Sequence, residues 1–207
     1  MTRIPARSVA LAGIVSSILC VVALHLLRTD LAPATHRLSE YASGEWGWLM
    51  TLAFVALGAG LVGFAAALRT ATVGLAGLAA AATYASALFR TGTPSEDLHS
   101  VASTVAVLAL VALAQIHTFV PAGSSDRPTV VLAVAAASFA ALSPVLHESG
   151  WTGVGQRLLW AALLAWLLRV TLLGRPRSED TADPPPDDRL PASLTSLQEE
   201  KTLRART

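Results

Sequence analysis

The chain has 207 residues, 53% of them hydrophobic and only 14% charged, with a formal net charge of +1 and a mean hydropathy of +0.55. A soluble domain carries about 25% charged residues, and here the charge is missing from whole blocks rather than thinned evenly. That pattern excludes a soluble enzyme, a nucleic-acid binder and a disordered chain as descriptions of the whole.

Six blocks have middles free of Asp, Glu, Lys and Arg, and each approaches the ~20 apolar residues a helix needs to cross a bilayer. They predict spans at Ser8–Leu27, Trp48–Leu68, Ala71–Phe89, His99–Val120, Thr129–Leu146 and Val154–Leu173. The fold class is therefore all-α, a polytopic membrane bundle of six transmembrane helices. Its domain covers residues 1–173. The remainder, 174–207, is expected to be a disordered cytoplasmic tail, because Pro184-Pro185-Pro186 and many acids leave little apolar surface to offset ordering entropy.

The first span follows Arg3 and Arg7 and precedes Ala32-Pro33-Ala34, a cleavage-like run. Its apolar core exceeds the usual 7–15 residues of a signal peptide, so it reads as an anchor that is kept. Cys20, the single cysteine, lies inside it and has no intrachain partner. Between the first two spans lies the longest connector, Arg28 to Gly47. Pro33 can open a short helix there and Gly44 can close it. In such a helix His36 and Glu40 share a face, while Leu31 and Leu38 turn toward the membrane, predicting a short interfacial helix between spans 1 and 2.

Gly58, Gly60 and Gly63 in the second span and Gly74 and Gly77 in the third read as surfaces for close helix packing. Pro144 is expected to bend the fifth span. An even span number puts both termini on one side. That side holds most of the 15 basic residues, nearly all arginine, so the termini are expected in the cytoplasm. Trp46, Trp48 and Trp151 then fall at the outer interface. The arginine and alanine usage suggests a GC-rich bacterial genome, and hence a multi-pass protein of the bacterial inner membrane.

Polar chemistry concentrates on the outer side. His25, His36, His99 and His147 lie there, with Asp30, Glu40, Glu45, Glu96, Asp97 and Glu148 and the arginines Arg28, Arg37, Arg90 and Arg157. The His36–Glu40 pair offers a general base with its orienting partner, or two metal ligands, or an ordinary solvated pair. No two histidines have the four-residue spacing of a helical metal site, so no metal and no cofactor is implied. Arg28, Arg90 and Arg157, at the ends of different spans, would suit a phosphate or carboxylate head group, or would pair with nearby acids. No charge sits at mid-depth, which disfavours ion-coupled transport.

The run His25-Leu26-Leu27-Arg28-Thr29-Asp30-Leu31-Ala32-Pro33 is followed by Leu38-Ser39-Glu40-Tyr41-Ala42-Ser43-Gly44 and Gly47-Trp48-Leu49-Met50. With the late Gly155-Gln156-Arg157-Leu158-Leu159, it resembles the bacterial six-span membrane family known only as a domain of unknown function, number nine hundred and ninety-eight. The resemblance covers roughly residues 8–173 and departs at Thr91-Gly92-Thr93-Pro94, where a longer Phe-Pro-x-Asp type loop is expected. It implies six helices and a polar outer motif, and brings no substrate.

The leading expectation is an integral membrane protein that binds a small polar or lipid-head-group ligand at its extracytoplasmic face. Its candidate residues are His25, Arg28, Asp30, His36, Ser39, Glu40, Tyr41, His99 and Arg157. The rivals are a structural or accessory subunit holding a membrane-protein partner or a second copy, and a membrane-embedded hydrolase. Whether the chain is an enzyme is left open. The lipid bilayer is the expected partner throughout.

Overall fold

A computed structural model describes residues 5–68, 72–89, 91–120 and 126–173. The described residues contain no strand. Six helices run in order: α1 Ala6–Leu27, α2 Gly47–Ala67, α3 Val73–Leu88, α4 Glu96–Phe119, α5 Arg127–Glu148 and α6 Thr152–Leu173. A five-residue 3-10 helix, Leu38–Ala42, lies between α1 and α2. Five of the six are long and apolar enough to cross a membrane. The exception, α3, has 16 residues, or about 24 Å at 1.5 Å each, against a hydrocarbon core of ~30 Å. The expected tail, Arg90 and the N-terminal arginine Arg3 lie outside the described residues.

Successive helices run up and down. At one end the α1–α2 connector meets the start of α6; at the other, Arg169 of α6 pairs with Asp126 at the start of α5. Arg7 of α1 also donates to the Leu172 carbonyl there. Asp126 caps α5 by accepting from the Thr129 N–H at 3.2 Å, and the Arg169 guanidinium, then the Thr129 hydroxyl, hold its carboxyl well below the usual carboxylate range.

Because lipid tails give helices no hydrophobic reason to associate, close backbone approach and interhelical hydrogen bonds must do so. Between α1 and α2 the approach rests on Gly13, Gly60 and Gly63. A Cβ on Gly63 would stand 2.6 Å from the Ala10 nitrogen, and one on Gly13 would strike the α2 backbone. Gly58 receives the ring of Tyr84 from α3. The expectation for Gly74 and Gly77 does not hold: both face open space. The inward stripe of α3 is instead Ala76, Ala79, Ala80, Thr83 and Ala87, which follows helical spacing and leaves the two glycines on the opposite face. Gln115 of α4 donates to the Ala133 carbonyl of α5 at 2.8 Å, and Trp166 of α6 donates to Thr118 of α4 at 3.1 Å.

The buried residues of α5 are Thr129, Ala133 and Ala136, all in its first half. Its second half, which carries Pro144, leans on little. Two hollows near the connector end follow from this geometry, one between α4, α5 and α6, the other between α1 and α6.

Candidate functional site

The long connector is not the interfacial helix expected from sequence. Its helical part is only Leu38–Ala42, His36 precedes it, and Leu38 and Tyr41 point into the bundle, with Tyr41 fully buried. The cause is a set of acceptors that a linear reading does not display. Arg157 of α6 reaches up and donates from Nη1 to the carbonyls of Pro33 at 2.6 Å and His36 at 2.8 Å, besides Gly153 of its own helix at 3.0 Å. Its Nε donates to His25 Nε2 at 2.8 Å, its Nη2 to the Tyr41 hydroxyl at 3.1 Å, and its charge lies 5.5 Å from the Tyr41 ring centroid. Gly153 allows the connector this close, since a Cβ there would stand 2.6 Å from the His36 oxygen. Gln156 accepts from the Leu38 N–H at 2.6 Å, and the Val154 N–H donates to the Ala34 carbonyl at 3.3 Å.

His25 hydrogen bonds through Nδ1 to the Val21 carbonyl at 2.8 Å, so Nδ1 carries the proton and Nε2 accepts from Arg157. Arg28 grips Asp30 with two bonds, Nε to Oδ1 at 2.9 Å and Nη2 to Oδ2 at 2.8 Å, and donates to the Ser43 carbonyl. The pair raises the Arg28 pKa and lowers that of Asp30 through the shared hydrogen bonds. His36 meets Glu40 at 2.9 Å as expected from the spacing, and the other Glu40 oxygen accepts from the Arg37 N–H at 2.9 Å. His25, Arg28, Asp30, His36, Tyr41 and Arg157 are thus brought together, but they mostly satisfy one another and the connector backbone. Of the two readings for the span-end arginines, Arg28 takes the pairing with a nearby acid, Asp30, while Arg157 is held by the connector carbonyls and Arg90 lies outside the described residues.

The polar hollow lies beside this clamp. It has a volume of about 520 Å³, and of the nine candidates Ser39, Glu40 and His99 line it. The other walls carry residues given no binding role above: Arg37, Glu96, His147, Ser100, Ser103, Thr104, Ser143 and Gln156, over a floor of Met50, Phe54 and Trp160. The signal for them is helical spacing. Ser100, Ser103, Thr104, Val107 and Leu108 of α4 form one stripe, as do Ala140, Ser143, Pro144 and His147 of α5 and Thr152, Gln156, Leu159 and Trp160 of α6.

His99 is the most informative member. It is 3% exposed, and its Nδ1 lies 3.0 Å from the Ser86 carbonyl and 2.6 Å from that of Phe89. Those carbonyls end α3 and would otherwise lack helical donors. Nδ1 therefore carries the proton, which leaves Nε2 as an acceptor, buried and without a partner among the described residues. A ring held this way resembles a metal-binding histidine. However, the described residues contain no group of three His, Cys, Asp or Glu side chains placed to hold a metal ion. His147 hydrogen bonds Thr152 at 3.1 Å, and among the described residues no Ser or Cys is hydrogen bonded to His36, as a nucleophile–base pair would require.

Apolar antiparallel helices, fastened at one end by a partly buried polar clamp beside a hydroxyl-lined hollow, define a polytopic helical membrane protein. Over residues 11–173 the chain matches the family described as Protein of unknown function (DUF998), and it belongs to that family. Neither a curated protein nor a solved structure matches it.

Proposed function

We propose that this membrane protein binds a small polar, hydroxyl-bearing ligand, free or carried as a lipid head group, in the hollow between α4, α5 and α6 at the extracytoplasmic face of the bacterial inner membrane. The single observation behind this reading is the Nε2 of His99, which has no partner among the described residues. A buried acceptor left without a donor is costly, and a bound hydroxyl would satisfy it. The surrounding groups are also mostly acceptors: the Glu40 and Glu96 carboxylates, and hydroxyls such as Ser103, which already donates to the Ser100 carbonyl at 3.1 Å. Among the described residues Arg37 is the only arginine of the lining, so a ligand rich in donors fits these groups better than an anion. The volume lies within the ~300–1,000 Å³ of small-molecule sites.

The test is mass spectrometry of compounds retained by the detergent-purified protein. Wild type is expected to hold one polyol or glycosyl compound per chain, and S103A/T104V, which spares the clamp and the α3 cap, is expected to lose most of it. A folded wild type that retains nothing above S103A/T104V overturns the reading.

A second reading, a structural or accessory subunit without a ligand, is favoured by the clamp itself, which occupies six of the nine candidate residues. Under that reading S103A/T104V changes nothing, while Arg28→Ala removes the folded protein.

A further inference from the structure

The second hollow is a groove of about 540 Å³ between α1 and α6, and its character is opposite to the first. Its walls are apolar, with Ile18 and Val22 on one side and Leu164 and Leu168 on the other, and its polar groups at the connector end are Arg157 and His25. From Arg157 to Leu168 the α6 wall runs eleven residues, about 16 Å at 1.5 Å per residue. That is the depth of one leaflet, half of a ~30 Å hydrocarbon core. Arg157 lies a little over one turn inside α6, a depth that suits the boundary between head groups and tails.

The electrostatics of Arg157 single out one kind of occupant. Among the described residues the ion pairs are Arg28–Asp30, His36–Glu40 and Arg169–Asp126, and none involves Arg157. Its partners are three carbonyls, an imidazole and a phenol, all neutral acceptors. Of the two N–H groups on Nη2, Tyr41 takes one. A guanidinium that is unneutralised, has a donor to spare and lines an apolar groove matches an anion carrying a hydrocarbon chain. Its neutral acceptors hold the side chain in place without cancelling the charge.

We propose that this groove holds one acyl chain of an anionic phospholipid from the surrounding leaflet, with the lipid phosphate on Arg157. The site is separate from the polar hollow and does not depend on its ligand. His25 fixes the guanidinium plane through Nε2, so the phosphate meets a donor already oriented. A zwitterionic lipid of the same chains fills the groove equally but brings its own cation, which competes with Arg157 for the phosphate.

The experiment is native mass spectrometry of the protein released from nanodiscs containing equal parts of phosphatidylglycerol and phosphatidylcholine with identical chains. One phosphatidylglycerol per chain is expected, retained about tenfold over phosphatidylcholine, as a charge-assisted contact warrants. Ala165→Trp fills the groove without touching the clamp and is expected to abolish retention. Arg157→Gln is expected to remove the preference between the two lipids. Because Arg157→Gln also loosens the connector, the Ala165→Trp result stands by itself if that variant fails to fold. Equal retention of the two lipids by wild type, unchanged retention in folded Ala165→Trp, or a lipid-free dimer joined through α1 and α6 each overturns the proposal.

Discussion

Arg157 ties α6 to the end of α1 and the connector that follows it, more than a hundred residues away in sequence, and its loss should be felt in the connector before the helices. Arg157→Gln removes bonds to His25, Pro33, His36 and Tyr41 together. Single hydrogen bonds to a charge contribute about 1.5–3 kcal/mol and do not add, so a loss of about 3 kcal/mol is expected. Limited trypsin digestion checks it, with cleavage after Arg37 appearing in the variant under conditions where wild type is intact. Asp126 gives a different signature. Its carboxyl is held low by Arg169 and Thr129 in the folded protein. Its stabilisation is therefore complete above the ordinary carboxylate value of 3.8 and drains away as pH falls toward the lower folded value. The melting-temperature gap between wild type and Asp126→Asn is expected to be constant from neutral pH to about 5 and to narrow below about 4. A gap that widens on acidification contradicts the assignment.

At the scale of the element, apolar blocks of span length were legible from sequence, and α1, α2, α4, α5 and α6 fall where they were expected. The α1–α2 contact makes a sharp prediction. Gly60→Leu is expected to cost more than the ~1–3 kcal/mol of ordinary overpacking, since the nearest atoms are backbone of Ile14, Ala10 and Gly13 that have nowhere to go. Gly77→Leu, facing open space, is expected to stay within ~0.5 kcal/mol. Unfolding by denaturant in mixed micelles measures both. Sequence composition could not separate these glycines, because small residues suit both a packed and a lipid-facing surface. The connector was harder still. The His36–Glu40 pair followed from local spacing, but the burial of Leu38 and Tyr41 depends on α6, more than a hundred residues away. Backbone carbonyls, the chief acceptors of the clamp, leave no mark in the sequence. The hydroxyl stripe of Ser100, Ser103 and Thr104 did leave one, visible as soon as α4 is drawn as a helix.

For the molecule as a whole, the polar clamp and both hollows share one end, opposite Arg7, Asp126 and Arg169. We propose, from the positive-inside reading, that this end lies outside the cell. With Cys20 replaced by Ser, Glu45→Cys is expected to react with a membrane-impermeant maleimide on intact cells, and Asp126→Cys only after the membrane is opened. The reverse pattern inverts the topology. Trp48 and Trp151 are 53% and 56% exposed at the clamp end, as the proposed orientation, with indoles at the outer interface, requires.

Leu38, Met50, Phe54 and Trp160 line both hollows. They form a partition one side chain thick, and a closely packed partition cannot yield toward one chamber without intruding on the other. Two occupants are therefore expected to influence each other's affinity, although neither requires the other to bind. If phosphatidylglycerol in the groove strengthens or weakens polyol binding by some factor, the polyol must alter lipid affinity by the same factor. Enlarging the partition with Met50→Phe is expected to change both affinities at once, as two sites divided by a single layer of side chains require.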